Sequence, residues 1–213
     1  MFTFIKQKAL TAGVFSLLSL GSLISSSPSY AAAIDFSTWT PFGDISSTAG
    51  QATLTTAGAN ALETGGGADS LETALGIPNT SLVTNPNDLA NSPFQGSAIK
   101  NTFTGINAGD TFSFNLSLTG DVRDRAFVSI KDLATNIPQI FTPVASSFSY
   151  VFPTAGSFDV GIGALDVGDS FEQSQSVVSN GNLQPVPEPI SVISSIVAVG
   201  CGATLRKRFA KKV

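Results

Sequence analysis

The stretch of sequence that decides the fold class is TFSFNLSL, residues 111–118. Its apolar side chains stand at every second position, at Phe112, Phe114, Leu116 and Leu118. Successive side chains of a β-strand point to opposite faces, so this alternation places all four on one face. The stretch is therefore predicted to be an antiparallel strand with one face in a core and the other in solvent.

The same alternation recurs on both sides of this stretch, between short runs of Gly, Asn, Pro and Asp, which favour turns. The clearest further runs are SFSYVF (147–152) and SFDVGIGA (157–164). Weaker runs are GQATLTT (50–56), SAIKNTFT (97–104), RAFVSI (125–130), QIFTPV (139–144) and SVVSNGNL (176–183). Together they predict about eight strands, and hence an all-β domain over residues 34–184, an antiparallel β-sandwich or jelly roll.

One segment breaks the alternation, GGGADSLETALGIP at residues 65–78. Asp69 or Ser70 can cap a short helix, and Gly76 with Pro78 ends it. Leu71 and Leu75 share a face of such a helix. We expect a helical turn that lies over a sheet edge.

Composition excludes several classes of chemistry. The chain of 213 residues has no His and one Cys, Cys201. Serine and cysteine nucleophiles paired with His, His-ligated zinc and disulfide frameworks are therefore excluded. Between Ile34 and Pro185 there are 14 Asp and Glu against four Lys and Arg, a net charge of −10. Such a body repels phosphate backbones, so nucleic acid is not an expected partner.

The N-terminal segment, residues 1–33, has the pattern of a secretory signal peptide. Lys6 and Lys8 precede an apolar run over residues 9–24, and SSSPSYAAA (25–33) follows with small side chains. Cleavage after Ala31 and cleavage after Ala33 both fit this pattern, and the alternative is an uncleaved N-terminal anchor. The expected partners of this segment are the secretion translocon and signal peptidase.

The C-terminal segment, residues 185–213, contains an apolar run followed by a cluster of cations. The 16 residues from Ile190 to Leu205 carry no charge. As a helix they would be about 24 Å long, which is shorter than the hydrocarbon core of a bilayer, about 30 Å. The cations after it are Arg206, Lys207, Arg208, Lys211 and Lys212. By the positive-inside rule they act as a membrane stop on the cytoplasmic side, which predicts a single transmembrane helix; a buried core helix is the alternative.

The motif before this run resembles a known sorting signal. Pro187, Glu188 and Pro189, followed by a short apolar helix and basic residues, resemble the PEP-CTERM signal of exported bacterial proteins. The resemblance implies that a membrane-embedded exosortase recognises these three residues and cuts nearby. Ile190 stands where the family often has Ser or Thr. The alternative is an ordinary proline linker before a membrane helix.

The likeness extends more loosely to the body, over residues 35–184. Runs such as WTPFGD (39–44) and ALDVGDS (164–170) resemble the β-sandwich bodies that many PEP-CTERM proteins carry. This resemblance implies a jelly roll similar to a carbohydrate-binding module, without naming a ligand.

Candidate ligand-binding residues are few. The body offers Trp39, Tyr150 and many Phe, and of these Trp39 is the sole candidate platform for stacking on a sugar, with a place in the core as the alternative. Asp121 and Asp124 could form a polar binding rim, or a solvated hairpin.

The segment LDVGDSFE, residues 165–172, offers a candidate Ca²⁺ site. Asp166, Asp169 and Glu172 supply the hard oxygen ligands that Ca²⁺ prefers. The spacing is not that of an EF-hand loop, and the alternative is a strand connection lined by acids. No other cofactor is expected.

The function expected from the sequence is that of an exported, non-enzymatic protein of the cell surface or extracellular polysaccharide matrix. The alternatives are a carbohydrate-binding module of the same fold, and a glycosidase that works with two carboxylates.

Overall fold

The computed structural model describes residues 31–83, 92–168 and 172–186. In these ranges the chain forms twelve strands, a 3₁₀ turn at Phe36–Thr38 and one short helix, α1 (Leu71–Leu75). The strands are β1 (Ala32–Ala33), β2 (Thr40–Phe42), β3 (Asp44–Thr48), β4 (Gln51–Thr55), β5 (Leu62–Glu63), β6 (Pro93–Ile106), β7 (Thr111–Thr119), β8 (Arg125–Asp132), β9 (Ile137–Phe141), β10 (Ser147–Val151), β11 (Gly156–Val167) and β12 (Gln175–Gln184).

The strands form two antiparallel sheets that pack face to face as a β-sandwich. The first sheet has the order β10-β7-β12-β4-β3, and β1 pairs with β12. The second has the order β2-β6-β11-β8-β9, and β5 pairs with β6. From β6 onward the chain crosses repeatedly between the sheets, which is the connectivity of a jelly roll. The predicted all-β sandwich is confirmed, and each of the eight predicted strands overlaps an observed one.

The main core lies between the sheets and is built from the alternating stripes of the sequence. Phe112, Phe114 and Leu116 of β7 meet Val160 and Ile162 of β11 in one buried cluster. Asp159 of β11 lies on the opposite face, where it contacts Lys100 and Lys131. The alternating apolar side chains therefore face the interior of the sandwich, as the sequence predicts.

A second apolar cluster covers the outer face of the second sheet. Leu71 and Leu75 of α1 pack with Phe127 and Leu165 there. Ser70 is the N-cap and accepts a hydrogen bond from the amide of Thr73, as expected from the sequence. The helix lies over the face of β6 and β11, not over a sheet edge, because Gly161 and Gly163 leave room for Leu75 and Phe127 on that face.

Candidate functional site

The edge between β9 and β10 is where the two sheets separate and leave a cleft. Deeper in the sandwich the strands are joined by Phe141, whose ring centroid is 5.2 Å from that of Phe148 and 5.8 Å from that of Tyr150. Toward the β8–β9 hairpin, the positions of β9 in register with Phe141 are Gln139 and Ile137, and both side chains are exposed. A cleft of about 220 Å³ results.

Tyr150 of β10 forms a wall of this cleft, and its ring is held by aromatic neighbours. It makes near-perpendicular contacts with Phe141 and Phe152, at interplanar angles of 67° and 84°. Its side chain lines the cleft together with that of Gln139 on the facing strand. Burial raises the pKa of the Tyr150 hydroxyl above its usual value of 10.0. The cleft therefore presents a half-buried aromatic ring in a fixed orientation.

The floor of the cleft is apolar and its rim is polar. Ile130 and Phe158, both 2% exposed, are the buried residues beneath it. The other lining residues are Asp132, Thr135, Ile137, Gln139, Pro153 and Thr154. Asp132 accepts a 2.8 Å hydrogen bond from the amide of Ala134, which fixes the carboxylate in the hairpin turn. An aromatic wall beside hydroxyl, amide and carboxylate groups is suited to a ligand with both apolar and hydroxyl surfaces.

A second cleft, of about 200 Å³, lies among residues of β1, β6 and the 3₁₀ turn. Trp39 and Phe103 line it together with Asp35, Thr38 and Asn101. Trp39 is only 3% exposed and packs within 5.5 to 6.4 Å of three phenylalanine rings. The structure thus places Trp39 in the core, because its neighbours cover the ring that a sugar would need.

The pair Asp121 and Asp124 forms internal contacts in place of a rim. Asp121 pairs with Arg123, whose Nη2 lies 2.6 Å from Oδ2, and this hydrogen bond holds the pKa of Asp121 below its usual range. Asp124 is 6% exposed and accepts hydrogen bonds from the Val167 amide and the Thr56 hydroxyl. Both carboxylates are therefore engaged within the protein.

The candidate calcium ligands are only partly described. Asp166 is 1% exposed at the end of β11, where Oδ2 accepts a 3.2 Å hydrogen bond from Gln95. Glu172 is exposed, and Asp169 lies outside the described residues. Over the described ranges, no group of three acidic, His or Cys side chains is placed to hold a metal ion. The calcium site stays a prediction.

The sorting motif and the terminal segments also lie outside the described residues. This applies to Pro187, Glu188 and Pro189, to the basic cluster from Arg206 to Lys212, and to residues 1–30. Within the part of the chain that the structure describes, no helix has the length and apolar character needed to cross a membrane.

Sequence reasoning missed Tyr150, Asp132 and Gln139 as candidate binding residues. A signal was present: in the run from Ile137 to Phe141, a glutamine occupies a position whose neighbours two residues away are both apolar. A polar residue in an inward register indicates a place where the core opens.

No family model and no curated protein sequence matches the chain. Among solved structures, the chain is similar to TmCBM61 in complex with β-1,4-galactotriose, with a TM-score of 0.39 and 7% identity over 71% of this chain and 91% of that one. It is also similar to the CBM22-1–GH10 modules of Clostridium thermocellum xylanase 10B in complex with xylohexaose, with a TM-score of 0.24 and 9% identity over 75% of this chain and 29% of that one.

Proposed function

We propose that the sandwich is a carbohydrate-binding module and that the cleft between β9 and β10 is its glycan site. The observation that carries this proposal is the placement of Tyr150 beside Gln139 and Asp132 in one open cleft. The CH groups on one face of a pyranose ring pack on the negative face of an aromatic ring. Its hydroxyl groups need donors and acceptors at the periphery, which amide, carboxylate and threonine side chains supply.

The size of the cleft sets the extent of the ligand. At about 220 Å³ it is smaller than the roughly 300 to 1,000 Å³ of sites for drug-sized molecules. One sugar unit fills it, and the rest of a glycan would extend over Ile137, which is 66% exposed at its margin. This geometry favours recognition of one unit of a polysaccharide over deep burial of a long chain.

The module binds and does not hydrolyse its glycan in this proposal. Hydrolysis by two carboxylates needs a pair about 5 to 9.5 Å apart across the scissile bond. The Tyr150 cleft is lined by one described carboxylate, Asp132, and the Trp39 cleft by one, Asp35. Glu72, one of the glutamates that a glycosidase would use, is fully buried and accepts a hydrogen bond from the amide of Gly65.

The termini support a location outside the cytoplasm. The signal-peptide pattern over residues 1–33 and the PEP-CTERM-like tail over residues 185–213 suit an exported protein that reaches the cell surface through an exosortase. Extracellular polysaccharide is then the partner that the module meets there.

The proposal is tested by binding of the purified full chain to galactan, mannan, β-1,3-glucan and cellulose, measured by calorimetry or by depletion onto insoluble polymer. We expect at least one polymer to bind. Tyr150→Ala should weaken that binding at least tenfold, and Gln139→Ala, which changes an exposed side chain, should weaken it several-fold.

The matched control is Phe94→Ala, which removes an aromatic side chain 43% exposed at the start of β6, away from the cleft. It should leave binding unchanged. Thermal melts of every variant separate loss of contact from loss of fold. If no polymer binds, or if Phe94→Ala weakens binding as much as Gln139→Ala, the proposed site is wrong.

A further inference from the structure

The Tyr150 cleft carries one negative charge and is out of reach of the positive charges of the body. Asp132 is the ionised group at its rim, and the remaining polar lining residues are threonine, glutamine and tyrosine. The four basic side chains of the body are Lys100, Arg123, Arg125 and Lys131, and none of them lines the cleft.

Two of them, Lys100 and Lys131, are held on the outer face of the second sheet. Lys131 Nζ lies 2.8 Å from the carbonyl oxygen of Gly76, and Lys100 Nζ lies 3.3 Å from that of Leu75. Both ammonium groups also contact Asp159, at 3.7 and 3.4 Å. They neutralise the C-terminal end of α1, where backbone carbonyls concentrate negative charge.

Strand geometry keeps Lys131 away from the cleft although it precedes Asp132 in sequence. Adjacent residues of a strand point to opposite faces, so Asp132 faces the interior side while Lys131 faces α1. The hydrogen bond from Lys131 to Gly76 holds it in that position.

The two arginines lie at the opposite end of β8 from Asp132. Arg125 begins the strand that Asp132 ends, a separation of roughly 23 Å at about 3.3 Å per residue. Arg123 precedes Arg125 and is paired with Asp121. At physiological salt, charges at such distances are screened, since the Debye length is about 8 Å.

We infer that the Tyr150 cleft selects uncharged sugar units and excludes uronic acid units. This inference rests on the proposed glycan-binding function. A hydroxymethyl or hydroxyl group at the rim can donate to Asp132, whereas a sugar carboxylate there meets a like charge with no cation to compensate it. The net charge of −10 over residues 34–185 adds a general repulsion of polyanionic glycans.

The test compares one polymer in two forms with the purified full chain. Soluble β-1,3-glucan, galactan and mannan are each used as such and after oxidation of C6 hydroxyl groups to carboxylates, at 20 mM and 500 mM NaCl. We expect every unoxidised polymer that binds to bind at least tenfold more tightly than its oxidised form at low salt, with a smaller ratio at high salt.

Two variants locate the effect. Asp132→Asn keeps the shape of the rim and removes its charge, so it should reduce the ratio several-fold. Asp69→Asn removes the same charge from an exposed position before α1 and should leave the ratio unchanged. Thermal melts confirm that both variants are folded.

The outcomes separate the two proposals. If an unoxidised polymer binds through Tyr150 but its oxidised form binds equally well, or if Asp132→Asn leaves the ratio unchanged, the charge selectivity is wrong and the glycan site stands. If no unoxidised polymer binds, the glycan site itself is wrong, and the selectivity falls with it.

Discussion

The hydroxyl group of Thr56 donates a 3.1 Å hydrogen bond to Oδ2 of Asp124, and so joins the end of β4 in one sheet to the start of β8 in the other. Oδ1 of the same carboxylate accepts a 2.9 Å hydrogen bond from the amide of Val167, at the end of β11. A buried carboxylate thus joins three strand ends at one end of the sandwich.

Asp124→Ala should therefore destabilise the protein. The change leaves the buried Val167 amide without its acceptor and the Thr56 hydroxyl with only the carbonyl of Ser174, 3.4 Å away. We expect a loss of about 1 to 3 kcal/mol in the free energy of unfolding. Urea unfolding measures the loss. Asp132→Ala, at the exposed hairpin, is the control and should cost about 1 kcal/mol or less. Equal stability of Asp124→Ala and the wild type would contradict the structural role of Asp124.

Gly163 of β11 should be intolerant of even a methyl group. A Cβ at Gly163 would lie 2.9 Å from the carbonyl oxygen of Ser97 and closer still to the ring of Phe127. Overpacking of this kind costs about 1 to 3 kcal/mol, so Gly163→Ala should lower the melting temperature. Gly50→Ala is the matched control, because a Cβ there meets nothing within 4 Å. A neutral Gly163→Ala would show that β11 and Phe127 pack less closely than described.

The hydroxyl of Tyr150 should titrate above the ordinary tyrosine range. Burial favours the neutral phenol in the folded state, so the folded pKa exceeds the unfolded value. Below about pH 10 the phenol is neutral in both the folded and the unfolded state, so the pH does not change the free energy of unfolding through this group. As the pH rises from there through the folded pKa, the unfolded state loses its proton first, and the free energy of unfolding falls. Absorbance at 295 nm follows the phenolate, and the difference from Tyr150→Phe removes the signal of Tyr30. A midpoint at or below 10 would contradict the buried position.

Trp39 and Tyr150 should report differently on ligand binding. The chain has one Trp, and it is buried among aromatic rings, so its fluorescence should be blue-shifted and resistant to iodide quenching. A glycan in the Tyr150 cleft should change tyrosine absorbance and leave the Trp39 emission unchanged. A ligand-induced shift in Trp39 emission without a tyrosine signal would instead favour the second cleft.

The mature N-terminus should be Ala32. Both Ala31 and Ala33 fit signal cleavage, but Ala32 pairs with Leu183 and Ala33 with Asn182 in the first sheet. Cleavage after Ala31 keeps this strand, and cleavage after Ala33 removes it. The intact mass of protein recovered from its native host measures the outcome.

The same mass spectrum tests the C-terminal tail, since an exosortase product should lack RKRFAKKV, residues 206–213. A species that begins at Ile34, or one that retains the tail in the membrane fraction, would contradict these expectations.

The sequence predicted the long strands well because their signal is repeated and local. Phe158, Val160 and Ile162 of β11 were correctly assigned to one buried face from alternation alone. The short strands β1, β2, β3 and β5 were missed. β1, β2 and β5 have two or three residues each, too few side chains to show a period, and β3 has one apolar residue, Ile45. These strands form because β4, β6 and β12 offer them hydrogen-bonding edges.

The candidate binding residues were harder to predict because they depend on contacts between distant segments. Asp124 was predicted to lie in a polar binding rim or in a solvated hairpin, yet it is buried and bonds Thr56, 68 positions away in sequence. Tyr150 and Gln139 stand on edge strands of different sheets, and no local pattern states that β9 will lie opposite β10. Asp132 becomes a cleft residue only through that placement.

By itself, the sequence determined the fold class and the faces of the long strands, because the period of side-chain direction is fixed by backbone geometry within a few residues. It also excluded histidine and disulfide chemistry by composition. Only the tertiary structure decided that Trp39 is enclosed and that Tyr150 borders a cleft. Exposure is set by which strands pack across the sandwich, and that packing is the sum of many weak contacts between segments far apart in the chain.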